Sequence, residues 1–195
     1  MNEIERRAFV AEIMSIEHRA DSTPVLRGHA AVFNSLSEDL GGYREQIMAG
    51  AFADAIAGDD IRALFNHDPN FVLGRNRSKT LKLSEDARGL AIEIDLPDTQ
   101  MVRDLVVAPI ERGDVSQMSF GFQVRPGGQD WAKDDEGRVI RTLKRLRLFD
   151  VSPVTFPAYP ATDVAVREMR AFLANLAPPV PVNLLRAKGM LARSY

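Results

Sequence analysis

Side chains able to serve as a nucleophile or a general base are scarce in this 195-residue chain. It contains no cysteine, which excludes a thiol nucleophile, iron–sulfur clusters and cysteine-based zinc sites. Its three histidines are His18, His29 and His67. His18 lies in a charged, turn-like stretch and His29 within a strand pattern, whereas His67 opens a turn after an apolar stretch, from which a side chain can reach a cleft. His67 is therefore the best candidate for a general base, although a turn residue without a chemical role also fits its position.

Without cysteine, the group on which such a base could act is a serine, a threonine, a lysine or a metal-bound water, and Ser119 has the most favourable setting. In an extended strand its neighbours Met118 and Phe120 point into the core, so the Ser119 hydroxyl projects from the opposite face. Gly121 shares the face of Ser119 and brings no side chain that would obstruct a substrate. The alternative interpretation is that small residues simply fill a crowded sheet surface.

A serine–histidine pair needs a third group that orients the imidazole ring, and Asp150 is the best candidate. It is predicted to share a strand face with two leucines, where a carboxylate is costly unless it is paired. A structural ion pair or a cap for the following turn would explain Asp150 equally well. A carboxylate hydrolase using Asp68 with Glu93 or Asp95 is a weaker alternative, because turn and solvent-face positions already explain those acids.

Composition limits the remaining function classes. The chain has 25 Lys and Arg against 27 Asp and Glu, so its formal net charge of −2 offers no basic footprint for nucleic acid. No segment approaches the roughly 20 apolar residues of a membrane span. The N-terminus lacks the apolar region of a signal peptide, and P-loop and dinucleotide fingerprints are missing. We therefore predict no nucleic-acid partner, no membrane partner, no cofactor and no metal.

The elements that must position these residues are mostly short strands. Alternation and turn signals predict strands over residues 8–16, 25–33, 61–65, 81–84, 90–96, 115–124 and 139–151. Helical spacing predicts helices over 48–57, 98–112 and 162–177, and residues 126–137, with the only tryptophan, are predicted to form a loop. We expect an α+β, β-rich fold with its main domain over 1–165, followed by a C-terminal helix, a Pro-rich linker and a basic tail over 166–195.

Four motifs occur in the order and spacing typical of tailed-phage prohead proteases, and the chain resembles that family over about residues 7–166. The motifs are GYREQIMAGAF (42–52), LFNHDPNFVLGR (64–75), GDVSQMSFGF (113–122) and LFDVSPVTFPAYP (148–160). The members of this family are capsid maturation serine proteases, distantly similar in fold to herpesvirus assemblin.

The resemblance implies an assemblin-like β-barrel flanked by a few helices, and a serine endopeptidase. The expected substrate of this endopeptidase is scaffold protein or the scaffolding segment of the major capsid protein. The endopeptidase is also expected to cleave itself. It would act as an oligomer inside the assembling prohead in the host cytoplasm. A non-catalytic capsid-assembly module with the same fold is the alternative.

The resemblance also assigns roles to residues. It places the family's histidine on His67 and its serine on Ser119. Assemblins use a second histidine after the serine, but no histidine follows Ser119, so the third role falls to an acid and Asp150 lies in the right order. Arg75 closes the motif that contains His67 and is a candidate for oxyanion or substrate contacts, as is Gly121.

Overall fold

The computed structural model describes residues 4–10, 14–20, 23–156 and 163–176. Within these ranges the chain has an α+β fold in which strands dominate, as predicted. The strands are β1 Glu5–Val10, β2 Ser15–His18, β3 Pro24–Val32, β4 Arg44–Ile47, β5 Arg62–Phe65, β6 Asp68–Arg75, β7 Leu81–Glu85, β8 Gly89–Asp95, β9 Gln117–Val124, β10 Gln129–Lys133, β11 Val139–Leu143 and β12 Leu146–Val154. The helices are α1 Ala53–Gly58, α2 Gln100–Val102, α3 Ala108–Glu111 and α4 Asp163–Leu176, with a π-helical turn over Arg103–Val107 between α2 and α3.

The described strands pair into three sheets. The largest has the order β1-β9-β12-β5-β6, the second β2-β3-β8-β7 and the third β10-β11-β4. Within the described ranges these pairings do not join into one closed ring, so the assemblin-like barrel remains a prediction. No helix among the described residues is long and apolar enough to cross a membrane.

The main core contains residues of all three sheets, of helix α1 and of the helical segment 100–111. The even-numbered residues Met118, Phe120 and Phe122 of β9 are completely buried in it. Phe120 packs edge-on against Phe52, which anchors β9 to the start of α1. Because neighbouring residues of a strand point to opposite faces, this anchoring turns the odd-numbered residues of β9 away from the core, as predicted for Ser119.

A buried cluster of two arginines and two glutamates fastens β1 to the third sheet. Arg7 Nε lies 2.8 Å from Glu45 Oε1, and Arg141 Nη1 lies 2.7 Å from Glu5 Oε2 and 2.9 Å from Glu45 Oε2. Burial alone would lower the pKa of both arginines, but the Glu45 and Glu5 carboxylates outweigh it, so both pKa values are raised. The cluster thereby holds β1 in place as the neighbour of β9.

Three of the predicted strands and loops are wrong in a consistent way. Residues 8–16 were expected to form one strand, but β1 and β2 belong to two different sheets. The strand expected over 139–151 divides into β11 and β12 around Lys144, whose N–H donates to the carbonyl of Gly128. The loop expected over 126–137 contains β10, which is stabilised by antiparallel pairing with β11. In each case the strand boundaries are set by pairing with other strands, which local sequence patterns do not report.

The helix expected over 98–112 is interrupted. Thr99 accepts a hydrogen bond from the N–H of Val102 and begins it, and Gly113, with φ +81°, ends it. The π-helical turn between these points precedes Pro109, which has no N–H to donate. The helical spacing over 98–112 places Leu105 on the apolar face of the expected helix, yet Leu105 is exposed.

Helix α4 agrees with the expected helix over 162–177. It buries Ala165 and Met169 against Leu40, Tyr43 and Val139 in a second, smaller core. The predicted Pro-rich linker and basic tail lie outside the described residues.

Candidate active site

The β5–β6 hairpin turn carries His67. Asn66 (φ +53°) and His67 (φ +57°) both adopt the left-handed conformation that two-residue type I′ turns require. Such turns favour Asn followed by Gly, and a side chain at the second position costs about 1–2 kcal/mol. A histidine at this position therefore indicates that the residue has a role other than stabilising the turn.

The hairpin turn is fastened to the end of β12 through Asn66. The Asn66 side chain donates to Thr155 Oγ1 at 3.1 Å and accepts from the Thr155 N–H at 2.8 Å. The Asn66 N–H also donates to the carbonyl of Pro153. These three bonds fix the location of His67 relative to β12.

The pairing of β9 with β12 sets four small or acidic residues on one face of the sheet. Ser119 is directly opposite Ser152, and Gly121 is directly opposite Asp150. Directly paired residues share a face, so all four point away from the main core.

A β-bulge is responsible for the orientation of Asp150. The register shifts between Leu148, which pairs with Phe122 on the core face, and Asp150, which pairs with Gly121 on the opposite face. The expectation that Asp150 shares a face with Leu148 is therefore wrong, because one extra residue reverses the alternation. The bulge directs the carboxylate toward Ser119 and His67.

The structure brings His67, Ser119 and Asp150 into one chain of hydrogen bonds. His67 Nδ1 lies 2.5 Å from Asp150 Oδ2, and His67 Nε2 lies 2.7 Å from Ser119 Oγ. The His67 and Asp150 side chains are about one-tenth exposed. With Nδ1–H donating to the carboxylate, Nε2 is left as the acceptor for the Ser119 hydroxyl proton. This arrangement can remove a proton from the serine and stabilise the resulting imidazolium.

The Asp150 carboxylate lies between two further residues, Gly121 and Ser152. These two residues together are here called the carboxylate seat. The Ser152 hydroxyl is completely buried and donates to Asp150 Oδ2 at 2.8 Å. A Cβ atom at position 121 would overlap Asp150 Oδ1 and lie 3.3 Å from its Cγ. The open space predicted above Gly121 is thus filled by the carboxylate and is not free for a substrate. Ser152 has no distinguishing signal in the sequence, because only the β9–β12 register reveals its place.

Arg75 is not joined to this group of residues. Its Nε and Nη2 atoms bind Asp60 at 2.7 and 2.5 Å, and this hydrogen bonding lowers the pKa of the Asp60 carboxyl to about 2. Arg75 pairs with Arg62 at the opposite end of the hairpin from His67. The expected oxyanion or substrate role for Arg75 finds no support in this geometry.

The other candidate histidines and acids are engaged elsewhere on the surface. His18 binds Glu111 and His29 binds Asp86. The rival acids are also engaged in other interactions: Asp68 accepts from the N–H of Asn70, Glu93 binds Lys82, and Glu93 and Asp95 both lie near Arg19. Among the described residues no group of three or more His, Asp or Glu side chains is arranged to hold a metal ion.

A serine on a rigid strand, bonded to a histidine that a carboxylate orients, is the arrangement found in serine hydrolases. The sequence profile of the Caudovirus prohead serine proteases matches residues 10–175, and the chain belongs to this family. It is 32% identical over 185 residues to the prohead protease of Enterobacteria phage HK97, an alignment that covers 87% of this chain and 74% of the phage protein.

Structural comparison finds a solved structure with a similar fold. The chain resembles the bacteriophage T4 capsid assembly protease with a TM-score of 0.51, covering 78% of this chain and 97% of the T4 protein. The sequence identity is 10%, so this likeness concerns the fold alone. The family resemblance inferred from the four motifs is confirmed by the profile and by the HK97 relative.

Proposed function

We propose that this phage prohead serine protease uses Ser119 as its nucleophile, His67 as its general base and Asp150 as the group that orients His67. Its proposed substrate is scaffold protein or the scaffolding segment of the major capsid protein, cleaved inside the assembling prohead in the host cytoplasm. The observation that carries the proposal is the continuous path from Asp150 Oδ2 through both ring nitrogens of His67 to Ser119 Oγ.

The proposed reaction follows from this path. Ser119 Oγ attacks the peptide carbonyl carbon while its proton passes to His67 Nε2, and Asp150 stabilises the imidazolium through the Nδ1–H bond. His67 then gives the proton to the leaving amine, which breaks the peptide bond and leaves an acyl ester on Ser119. Water, deprotonated by His67, hydrolyses the ester and restores the serine. Since Asp60 engages Arg75, backbone N–H groups are the expected oxyanion donors.

Trimming of the cognate capsid or scaffold protein during co-expression tests this proposal. Ser119→Ala should reduce the trimming rate by about 10⁴–10⁶-fold, as loss of the nucleophile does in other triads. Ser116→Ala is the matched control, because Ser116 is exposed and precedes β9, and it should trim normally. Continued trimming by Ser119→Ala would contradict the serine-protease assignment and favour a non-catalytic assembly module.

Self-cleavage is part of the proposal. Residues 183–195 include Arg186, Lys188 and Arg193 and no acidic residue, so this tail could dock on the shell or be removed. Mass spectrometry of the purified protein should show the tail lost from the active enzyme and retained in Ser119→Ala. Loss of the same peptide from both forms would point to a host protease instead.

A further inference from the structure

The Asp150 carboxylate has a second hydrogen-bond donor besides His67. Ser152 lies two residues further along β12 and donates to the same oxygen, Oδ2, that His67 Nδ1 contacts. The Ser152 side chain has no exposure to solvent, so water cannot replace this bond without a rearrangement.

The hydrogen bond from Ser152 restricts the rotation of the Asp150 carboxylate about its Cβ–Cγ bond, a torsion that the backbone does not fix. Rotation of a carboxylate about the Asp Cβ–Cγ bond is only softly restricted. On one side Oδ1 lies against the space where Gly121 lacks a Cβ, and on the other side Ser152 Oγ holds Oδ2. The carboxylate seat thus selects the one rotation that aims Oδ2 at His67 Nδ1.

Ser152 is not placed as an alternative nucleophile. It is directly opposite Ser119 in the β9–β12 register, close enough for their Cβ atoms to be neighbours. His67 Nε2 contacts the Ser119 hydroxyl, however, while the Ser152 hydroxyl proton is committed to Asp150. Any effect of Ser152 on the chemistry must therefore pass through the carboxylate.

We propose that Ser152 is a positioning residue, which holds the Asp150 carboxylate in the orientation that His67 requires. This inference rests on the proposed function, because it assigns Ser152 a role only through Asp150. Hydrogen bonds to charged groups are the stronger ones in proteins, so losing this donor should slow trimming by about 10- to 100-fold. The loss should appear in kcat rather than in KM, since Ser152 does not contact the substrate in this role.

A double-mutant cycle separates positioning from a merely structural role. The trimming rate is measured for the wild type, Ser152→Ala, Asp150→Ala and the double variant, with the thermal unfolding midpoint of each. If Ser152 acts through Asp150, the double variant should trim at the rate of Asp150→Ala, within about twofold. Ser152→Thr keeps the hydroxyl and should recover most of the rate lost in Ser152→Ala. The threonine variant therefore still tests the role of the hydroxyl if the alanine variant is unstable.

Two results would overturn the inference. Ser152→Ala with wild-type trimming would show that the hydroxyl is dispensable. Losses that multiply in the double variant would show that Ser152 acts independently of the carboxylate. The proposed function fails separately, through undiminished trimming by Ser119→Ala, so the two failures can be distinguished.

Discussion

Gly121→Ala should inactivate the enzyme without unfolding it. The added methyl group would lie 3.3 Å from Asp150 Cγ, slightly closer than an ordinary contact, and would overlap Oδ1 much more severely. The overlap with Oδ1 is relieved only if the carboxylate retreats by about 1 Å. That retreat would stretch the 2.5 Å contact between Asp150 and His67 to the limit of a hydrogen bond. A displacement of about 1 Å in a catalytic group costs about 10²-fold, and removing the function of a triad carboxylate costs about 10⁴-fold. We therefore expect a loss between about 10²- and 10⁴-fold.

The fold should tolerate this change, because φ at Gly121 is not positive and the clash is with a side chain that can rotate. The assay is the rate of capsid-protein trimming, with urea unfolding measured on the same preparations. Gly58→Ala is the matched control: a Cβ there meets no atom within 4 Å, so activity should be unchanged and stability should rise by about 0.4–1 kcal/mol. Normal trimming by Gly121→Ala with an unchanged unfolding midpoint would refute the account of the carboxylate seat.

Three further predictions concern the hairpin turn, the buried ion cluster and acid stability. His67→Gly and His67→Ala should both be inactive. The glycine variant should nevertheless be more stable to urea by about 1 kcal/mol, because φ at position 67 is +57° and glycine adopts this conformation without strain. Equal stabilities of the two variants would contradict the left-handed turn. Arg141→Met should lower the free energy of unfolding by about 3–5 kcal/mol, because the buried carboxylates of Glu5 and Glu45 would then share the single guanidinium of Arg7; a change below about 1 kcal/mol in chemical denaturation would contradict this. Hydrogen bonds from Arg75 to Asp60 and from His29 to Asp86 lower the pKa of each carboxyl to about 2, below the unfolded value near 3.9. The stabilisation from these carboxylates is therefore present above about pH 4 and fades as pH falls through about 2. The thermal midpoint of Asp60→Asn should consequently fall less than that of the wild type between pH 4 and pH 2, and parallel curves would show that Asp60 contributes nothing.

The face of Ser119 could be predicted from the sequence, whereas that of Asp150 could not. Strict alternation along β9 buries the large apolar residues, so the opposite face of Ser119 follows from strand geometry alone. Asp150 was assigned to the wrong face because the bulge before it depends on the pairing of β12 with β9. The contact of His67 with Ser119, 52 residues apart in sequence, is expected from the chemistry of the two side chains and from the family resemblance, because no local pattern reports it.

The prediction of strands from the sequence is limited in the same way, because it depends on how the strands pair. β3, β7 and β8 were located within a residue or two because their local patterns and turns are clear. β10 was predicted as a loop, since its stability comes from pairing with β11 and from the aromatic contact of Trp131 with Tyr43. A polar segment becomes a strand when its partner supplies the hydrogen bonds, and the composition of the segment itself does not indicate that pairing.

The central claim is that Ser119 is a nucleophile activated by His67. It is tested most directly by treating proheads assembled with this protein with a fluorophosphonate, then mapping the modified residue by mass spectrometry. Using proheads keeps the enzyme in its proposed working environment. We predict a single adduct on Ser119 that is absent when His67 is replaced by alanine. An adduct on another serine, or labelling of Ser119 that is unaffected by the loss of His67, would contradict the claim.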